Sequence, residues 1–108
     1  MILALALAAC TTVDGDTIRC GSERIRLLGI DAPETEQAKC PYERSLGLRA
    51  KARLGELLAG GFEIERSGEL DRYGRTLANL RVNGRDAGSV LVSEGLARPY
   101  NGGRKPWC

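Results

Sequence analysis

The stretch Arg26-Leu27-Leu28-Gly29-Ile30-Asp31-Ala32-Pro33-Glu34 decides how this chain folds. From Glu23 to Ile30 the residues alternate as a strand does. Ile25 and Leu27 fall on one face, and Arg24, Arg26 and Leu28 on the other. Asp31-Ala32-Pro33-Glu34 then leaves the sheet, with Pro33 keeping Ala32 extended. Arg26 and Asp31 are separated by an odd number of positions, which a regular strand would send to opposite faces. A shared site therefore requires a bend after Gly29.

Working outward, Thr11 to Cys20 reads as strand, turn, strand around Asp14-Gly15, and Gly21-Ser22 as a turn. Tyr42 to Ala59 reads as a helix, with Leu46, Ala50, Leu54 and Leu57 or Leu58 at helical spacing and Gly60-Gly61 ending it. Phe62 to Arg66 is a short alternating strand, and Ser67 to Tyr73 a polar excursion. Arg75 to Val82 is a strand turned by Asn83-Gly84. Asp86 caps a second helix that runs through Glu94 and stops at Gly95. Leu96 to Tyr100 is extended, and the tail Asn101 to Cys108 has no periodicity. Five or so short, mostly antiparallel strands with two helices define an α+β protein. Its best architectural match is a five-stranded Greek-key barrel of the OB type.

A chain of 108 residues makes one domain. Charged residues form 28% of it, which fits a globular protein and argues against a disordered chain. The net charge of +2 predicts only moderate steering towards nucleic acid. The basic residues are mostly arginine, suited to bidentate contact with phosphate or carboxylate. There is no histidine, so a histidine base and a histidine-containing zinc site are both excluded. The four cysteines, Cys10, Cys20, Cys40 and Cys108, contain no CxxC pair and allow three pairings. A Cys40–Cys108 bridge would pin a frayed terminus and is the most economical pairing; four reduced thiols are the alternative. Met1 to Ala9 is apolar and too short to span a bilayer. Ala6 to Val13 reads as the first strand, with a trimmed export signal as the second reading.

The candidate chemistry lies at strand and turn ends. Asp16, Asp31 and Glu34 are carboxylates that repel one another unless a cation neutralises them. Oxygen-only donors favour Ca2+ or Mg2+ over zinc. Arg75 follows the turn Asp71-Arg72-Tyr73-Gly74, which can aim its guanidinium back at the same place. Two arginines on one phosphate would stabilise the charge of a pentacoordinate transition state. Taken alone, Asp14-Gly15-Asp16 is a hairpin turn and each arginine a surface ion-pair partner.

Three ordered segments, Val13-Asp14-Gly15-Asp16-Thr17, Arg26 to Glu34 and Asp71-Arg72-Tyr73-Gly74-Arg75, together resemble the thermonuclease family, the staphylococcal-nuclease-like domains. The later run from Asn83 to Ala97 fits in order and spacing. The resemblance implies such a domain over residues 10–108, after an apolar segment at 1–9. By position, Asp16 and Asp31 match calcium-ligating aspartates, and Ala32 a ligand through its backbone carbonyl. Glu34 matches a general base. Arg26 and Arg75 match the arginines on the scissile phosphate. Arg72, Tyr73 and Tyr100 fall near substrate contacts, and Asp14 behind the metal ligands. Against the family's pattern, the expectation is that the third helix is missing or is replaced by Arg104-Lys105-Pro106-Trp107-Cys108, with Trp107 able to cover the core.

What the resemblance implies is a calcium-dependent endonuclease, with Mg2+ as the other cation, cutting DNA or RNA in single-stranded or frayed form and leaving 3′-phosphates. The expected protein is a monomer without a stable membrane span, secreted or periplasmic, with the cytoplasm as the alternative. Competing with it are a non-catalytic OB-type module that binds nucleic acid or protein, and a cysteine-stapled structural protein that uses calcium only for stability.

Overall fold

The computed structural model describes residues 10–103 and 105–108. The expected first strand therefore falls within the described residues only from Cys10 onward. Strands β1 (Cys10–Asp14) and β2 (Thr17–Cys20) form the hairpin around Asp14-Gly15, with Cys10 opposite Cys20 and bonded to it. β2 pairs antiparallel with β3 (Glu23–Leu27), and Ile18 lies in register with Ile25. The alternation then stops. Leu28 and Gly29 turn the chain, Gly29 at φ 77°, before β4 (Ile30–Asp31). A residue with a Cβ is strained at that φ, so glycine is what places the bend between Arg26 and Asp31.

Helix α1 (Pro41–Leu58) matches the expected helix to within one residue at each end. Leu46, Ala50, Leu54 and Leu58 recur every fourth residue and are buried, giving the helix one apolar stripe. Strand β5 (Glu63–Leu70) follows, then β6 (Thr76–Val82), the short β7 (Arg85–Asp86), α2 (Ala87–Ser93) and β8 (Arg98–Pro99). The Asp86 side chain accepts from the Ser89 N–H and caps α2, as its sequence requires. The core joins Ile18, Ile25 and Leu27 of the sheet, Leu80 of β6, Leu54 and Leu58 of α1, and Leu91 of α2, all essentially inaccessible to solvent.

Two expectations need correction. The strand after α1 does not end at Arg66 but continues to Leu70, pairing with β6 up to Leu70↔Thr76 across an irregularity. Its side chains are almost all exposed, because an edge strand is held by its backbone ladder and needs no apolar alternation. The polar residues that read as a loop are its solvent face. The second correction concerns closure. The main sheet runs β1-β2-β3-β6-β5 with β7 beside β6, and β4 pairs with β8 separately. The parallel β3–β6 pair makes it mixed. Among the described residues no pairing joins β1 to β5, so the architecture is an open α+β sheet with two helices and not a closed five-stranded barrel. Of the five residues of β1, four pair with β2, and Val13 lies at the irregularity between Thr12 and Asp14.

After Tyr100 the described residues form no helix. Cys108 is bonded to Cys40, and Trp107 packs against the core.

Candidate active site

The bend at Gly29 turns Arg26 and Asp31 towards each other. Arg26 Nη1 donates to the carbonyls of Leu27 (2.9 Å) and Ile30 (2.8 Å), so the guanidinium is oriented by the turn it stands on. It lies 3.7 Å from Asp16 Oδ2 and 3.9 Å from Asp31 Oδ1. Both aspartates are buried. Asp16 Oδ1 accepts from the Thr17 hydroxyl (3.0 Å), Asp16 Oδ2 from the Ala32 N–H (2.9 Å), and Asp31 Oδ2 from the Trp107 indole N–H (3.4 Å). Buried carboxylates are tolerable only with donors and a cationic neighbour of this kind.

Glu34 sits on a loop clamped from three sides. Glu43, buried in the first turn of α1, accepts the Glu34 N–H (3.0 Å) through Oε2 and the Lys39 N–H (3.0 Å) through Oε1. Asp14 Oδ1 accepts the Thr35 N–H (3.2 Å) and hydroxyl (2.8 Å). From below, α1 approaches so closely that a Cβ at Gly47 would lie 2.3 Å from the Glu34 carbonyl oxygen. Only glycine permits that contact, and through it the helix fixes the height of the loop.

The turn before β6 is built on Asp71. Its Oδ1 accepts the N–H groups of Tyr73 and Arg75 (both 2.9 Å), and its Oδ2 accepts Arg75 Nε (2.7 Å). Burial works against the Asp71 charge, but the hydrogen bonds from Arg75 and Tyr73 outweigh it and hold the carboxyl below its usual range. Arg75 Nη1 reaches the Thr17 hydroxyl at 3.5 Å, which links this turn to Asp16. The exposed Tyr73 ring lies 5.1 Å from the Arg72 guanidinium carbon and 5.5 Å from that of Arg75. Arg24 donates to the Tyr73 carbonyl. Tyr100, anchored by its N–H to the Gly29 carbonyl (2.9 Å), lies 5.7 Å from the Arg26 guanidinium carbon.

One cleft of about 1120 Å³ collects these side chains. Asp16, Asp31, Glu34, Arg26 and Arg75 all line it, and so do Arg72, Tyr73 and Tyr100. Ala32 is not among the residues that line it: it is buried, with its N–H given to Asp16. Among the described residues, no three cysteine, aspartate or glutamate side chains gather into a complete cation cage. The donor set still suits a hard cation. Two buried carboxylates converge on one guanidinium, and the donors are oxygens alone, as Ca2+ or Mg2+ prefer when water or phosphate completes the shell.

Sequence reasoning missed the part Glu43 plays. Its signal was present, since Cys40-Pro41-Tyr42-Glu43 has proline at the first helical position and glutamate at the third. Thr35 and the clamp on Arg75 by Asp71 were also unread. An aspartate opening a turn before glycine is the pattern for the latter.

The structure is thus a small α+β domain with arginines and carboxylates facing one cleft. The family model described as Staphylococcal nuclease homologue matches residues 24–106. The chain belongs to this SNase family. Among its relatives are the SPbeta prophage-derived endonuclease YokF of Bacillus subtilis (38% identical, over 80% of this chain and 31% of the relative) and the micrococcal nuclease of Shigella flexneri (36%, 87% and 58%). The thermonuclease of Staphylococcus intermedius is 36% identical over 80% of this chain and 54% of its own length. The chain thus spans between about a third and three fifths of these relatives. No described helix is long and apolar enough to cross a membrane, and the two disulfides are compatible with an extracellular location.

Proposed function

We propose that the domain, residues 10–108, is a nuclease that hydrolyses phosphodiester bonds of DNA or RNA by attack of water. The observation that carries this reading is the single cleft lined by Asp16, Asp31, Glu34, Arg26 and Arg75. The names of its relatives, endonuclease, micrococcal nuclease and thermonuclease, agree with it.

Asp16 and Asp31, with the Ala32 carbonyl, are the candidate ligands of a Ca2+ ion, with Mg2+ as the alternative. Such an ion would supply Lewis-acid polarisation of the phosphate and offset the crowded carboxylates. Glu34, held by its backbone to Glu43, accepts the proton of the attacking water. Arg26 and Arg75 bind the non-bridging oxygens and stabilise the extra negative charge as phosphorus becomes five-coordinate. The bond to the 5′ oxygen then breaks, with Arg26 and Arg75 assisting its departure; that oxygen takes a proton from solvent and leaves as a 5′-hydroxyl, and the other product keeps a 3′-phosphate. Arg72 and Tyr73 bind a neighbouring phosphate, and Tyr100 offers its ring to a base. A ring that stacks on a base favours single-stranded or frayed substrate. The protein works as a monomer in a secreted or periplasmic setting, where its disulfides persist.

The test is a digest of single-stranded DNA and RNA with Ca2+, Mg2+ or a chelator, using the wild type and Glu34→Gln, with product ends analysed. Cleavage should require the cation and leave 3′-phosphates. Glu34→Gln should lower kcat by about 10²- to 10⁴-fold with an unchanged circular dichroism spectrum. Equal turnover by the variant removes Glu34 as base. Binding without turnover by the wild type makes the domain a non-catalytic module.

A further inference from the structure

The C-terminal segment is tied to the acidic side of the cleft at several points. β8 runs antiparallel to β4 with Arg98 in register opposite Asp31. The Arg98 guanidinium carbon lies 3.6 Å from the centroid of the Trp107 ring. Its Nη1 donates to the carbonyls of Lys105 (3.2 Å) and Pro106 (3.1 Å). The Trp107 indole N–H donates to Asp31 Oδ2 at 3.4 Å, while Asp31 Oδ1 is the oxygen that faces Arg26. One residue on, Cys108 is bonded to Cys40, the N-cap of α1, and its Sγ lies 3.8 Å from Glu43 Oε1. Glu43 is the carboxylate that holds the Glu34 N–H. A closed ring thus runs from Asp31 through Arg98 and Trp107 back to Asp31, and the disulfide fastens it to the helix end that clamps Glu34.

We propose that Trp107 is a positioning residue for Asp31, and that the Cys40–Cys108 disulfide keeps it in place. The cation affinity of the cleft then depends on a tryptophan 76 positions from the aspartate it serves and on the bridge that ties the chain beside it to α1. The inference rests on Asp31 acting as a cation ligand, as in the proposed function. A carboxylate with one oxygen held by an N–H donor cannot rotate freely, so its other oxygen keeps one direction. Without the bridge, residues 105–108 would have to be ordered against their own conformational entropy, and Trp107 would leave Asp31 for part of the time.

The test is calorimetric titration of Ca2+, without nucleic acid, into the wild type, Asp31→Asn, Trp107→Phe and the double variant Cys40→Ser/Cys108→Ser. The wild type should bind and Asp31→Asn should not. Trp107→Phe, which keeps an aromatic ring and loses the N–H, should bind about tenfold more weakly. Its kcat should recover at saturating Ca2+, which a collapsed fold would not allow. The double variant should shift in the same direction. It keeps the chain's one tryptophan, whose fluorescence should report the loosened contact. Wild-type affinity in Trp107→Phe overturns this inference and leaves the nuclease reading standing. A wild type that binds no Ca2+ overturns the cation site and this inference together. If Trp107→Phe does not fold, the double variant decides, and unchanged affinity with unchanged fluorescence overturns the inference.

Discussion

Arg26 and Arg66 both face carboxylates and are engaged in opposite ways. Arg66, on the exposed edge strand, grips Glu23 with two bonds of 3.0 and 2.6 Å. Arg26, whose side chain is only 12% exposed, stands 3.7 and 3.9 Å from two aspartates and makes its shortest bonds to backbone carbonyls. The edge pair saturates itself in water, where such pairs contribute little. In the cleft, the aspartates take donors from Thr17, Ala32 and Trp107, and the arginine is aimed by its own turn. Opposite charges are brought close without being consumed by one another, which is the arrangement a charged ligand requires.

Arginine-to-lysine exchange at the two positions should expose this difference most sharply. Arg26→Lys loses the planar fork and its two carbonyl bonds, and cleavage should fall by about 10²- to 10³-fold. Arg66→Lys should leave cleavage unchanged and alter unfolding free energy by no more than about 0.5 kcal/mol. Parallel digests and denaturant melts check both, and equal losses at the two sites would erase the distinction.

Asp71→Asn has the next largest effect. It removes the charge that clamps Arg75 Nε and keeps an acceptor for the turn, so the guanidinium loses its aim while β6 stays paired. The loss in kcat should reach up to about 10²-fold, the cost of slight misplacement. Mutant-cycle kinetics with Arg75→Ala would show it, because the two losses should not add.

The smallest effect concerns acid stability at the edge. Hydrogen bonding from Arg66, opposed by burial and supported by Thr76, lowers the Glu23 pKa below its ordinary 4.5. Its folded value lies below its unfolded one, so the pair's stabilisation is complete above about pH 4.5. It is lost as pH falls through the folded value. Glu23→Gln should flatten this acid limb and cost no more than about 1 kcal/mol at pH 7. Chemical melts from pH 7 to pH 3 measure it, and an unchanged acid limb would detach Glu23 from the pair.

Much of the fold was legible where local chemistry is strong. The stripe of Leu46, Ala50, Leu54 and Leu58, the Asp86 cap and the bend at Gly29 are each written in neighbouring residues. The extension of β5 past Arg66 was not, because an exposed edge carries no apolar period. Sheet closure was also misjudged, since which strands meet across a sheet is a long-range matter.

The site divides in the same way. Turn residues at Asp14-Gly15-Asp16, Asp31-Ala32-Pro33-Glu34 and Asp71 to Gly74 announced by themselves where charged groups would leave the strands. Their convergence on one cleft belongs to the tertiary structure. So do the contacts that hold it: Asp14 to Thr35 across 21 positions, Glu43 to Glu34 across 9, and Trp107 to Asp31 across 76. Periodicity, caps and turn propensity act over a few residues and can mark a residue such as Glu43, whereas these bonds exist only once helix, sheet and tail have packed, and so no local pattern names their partners.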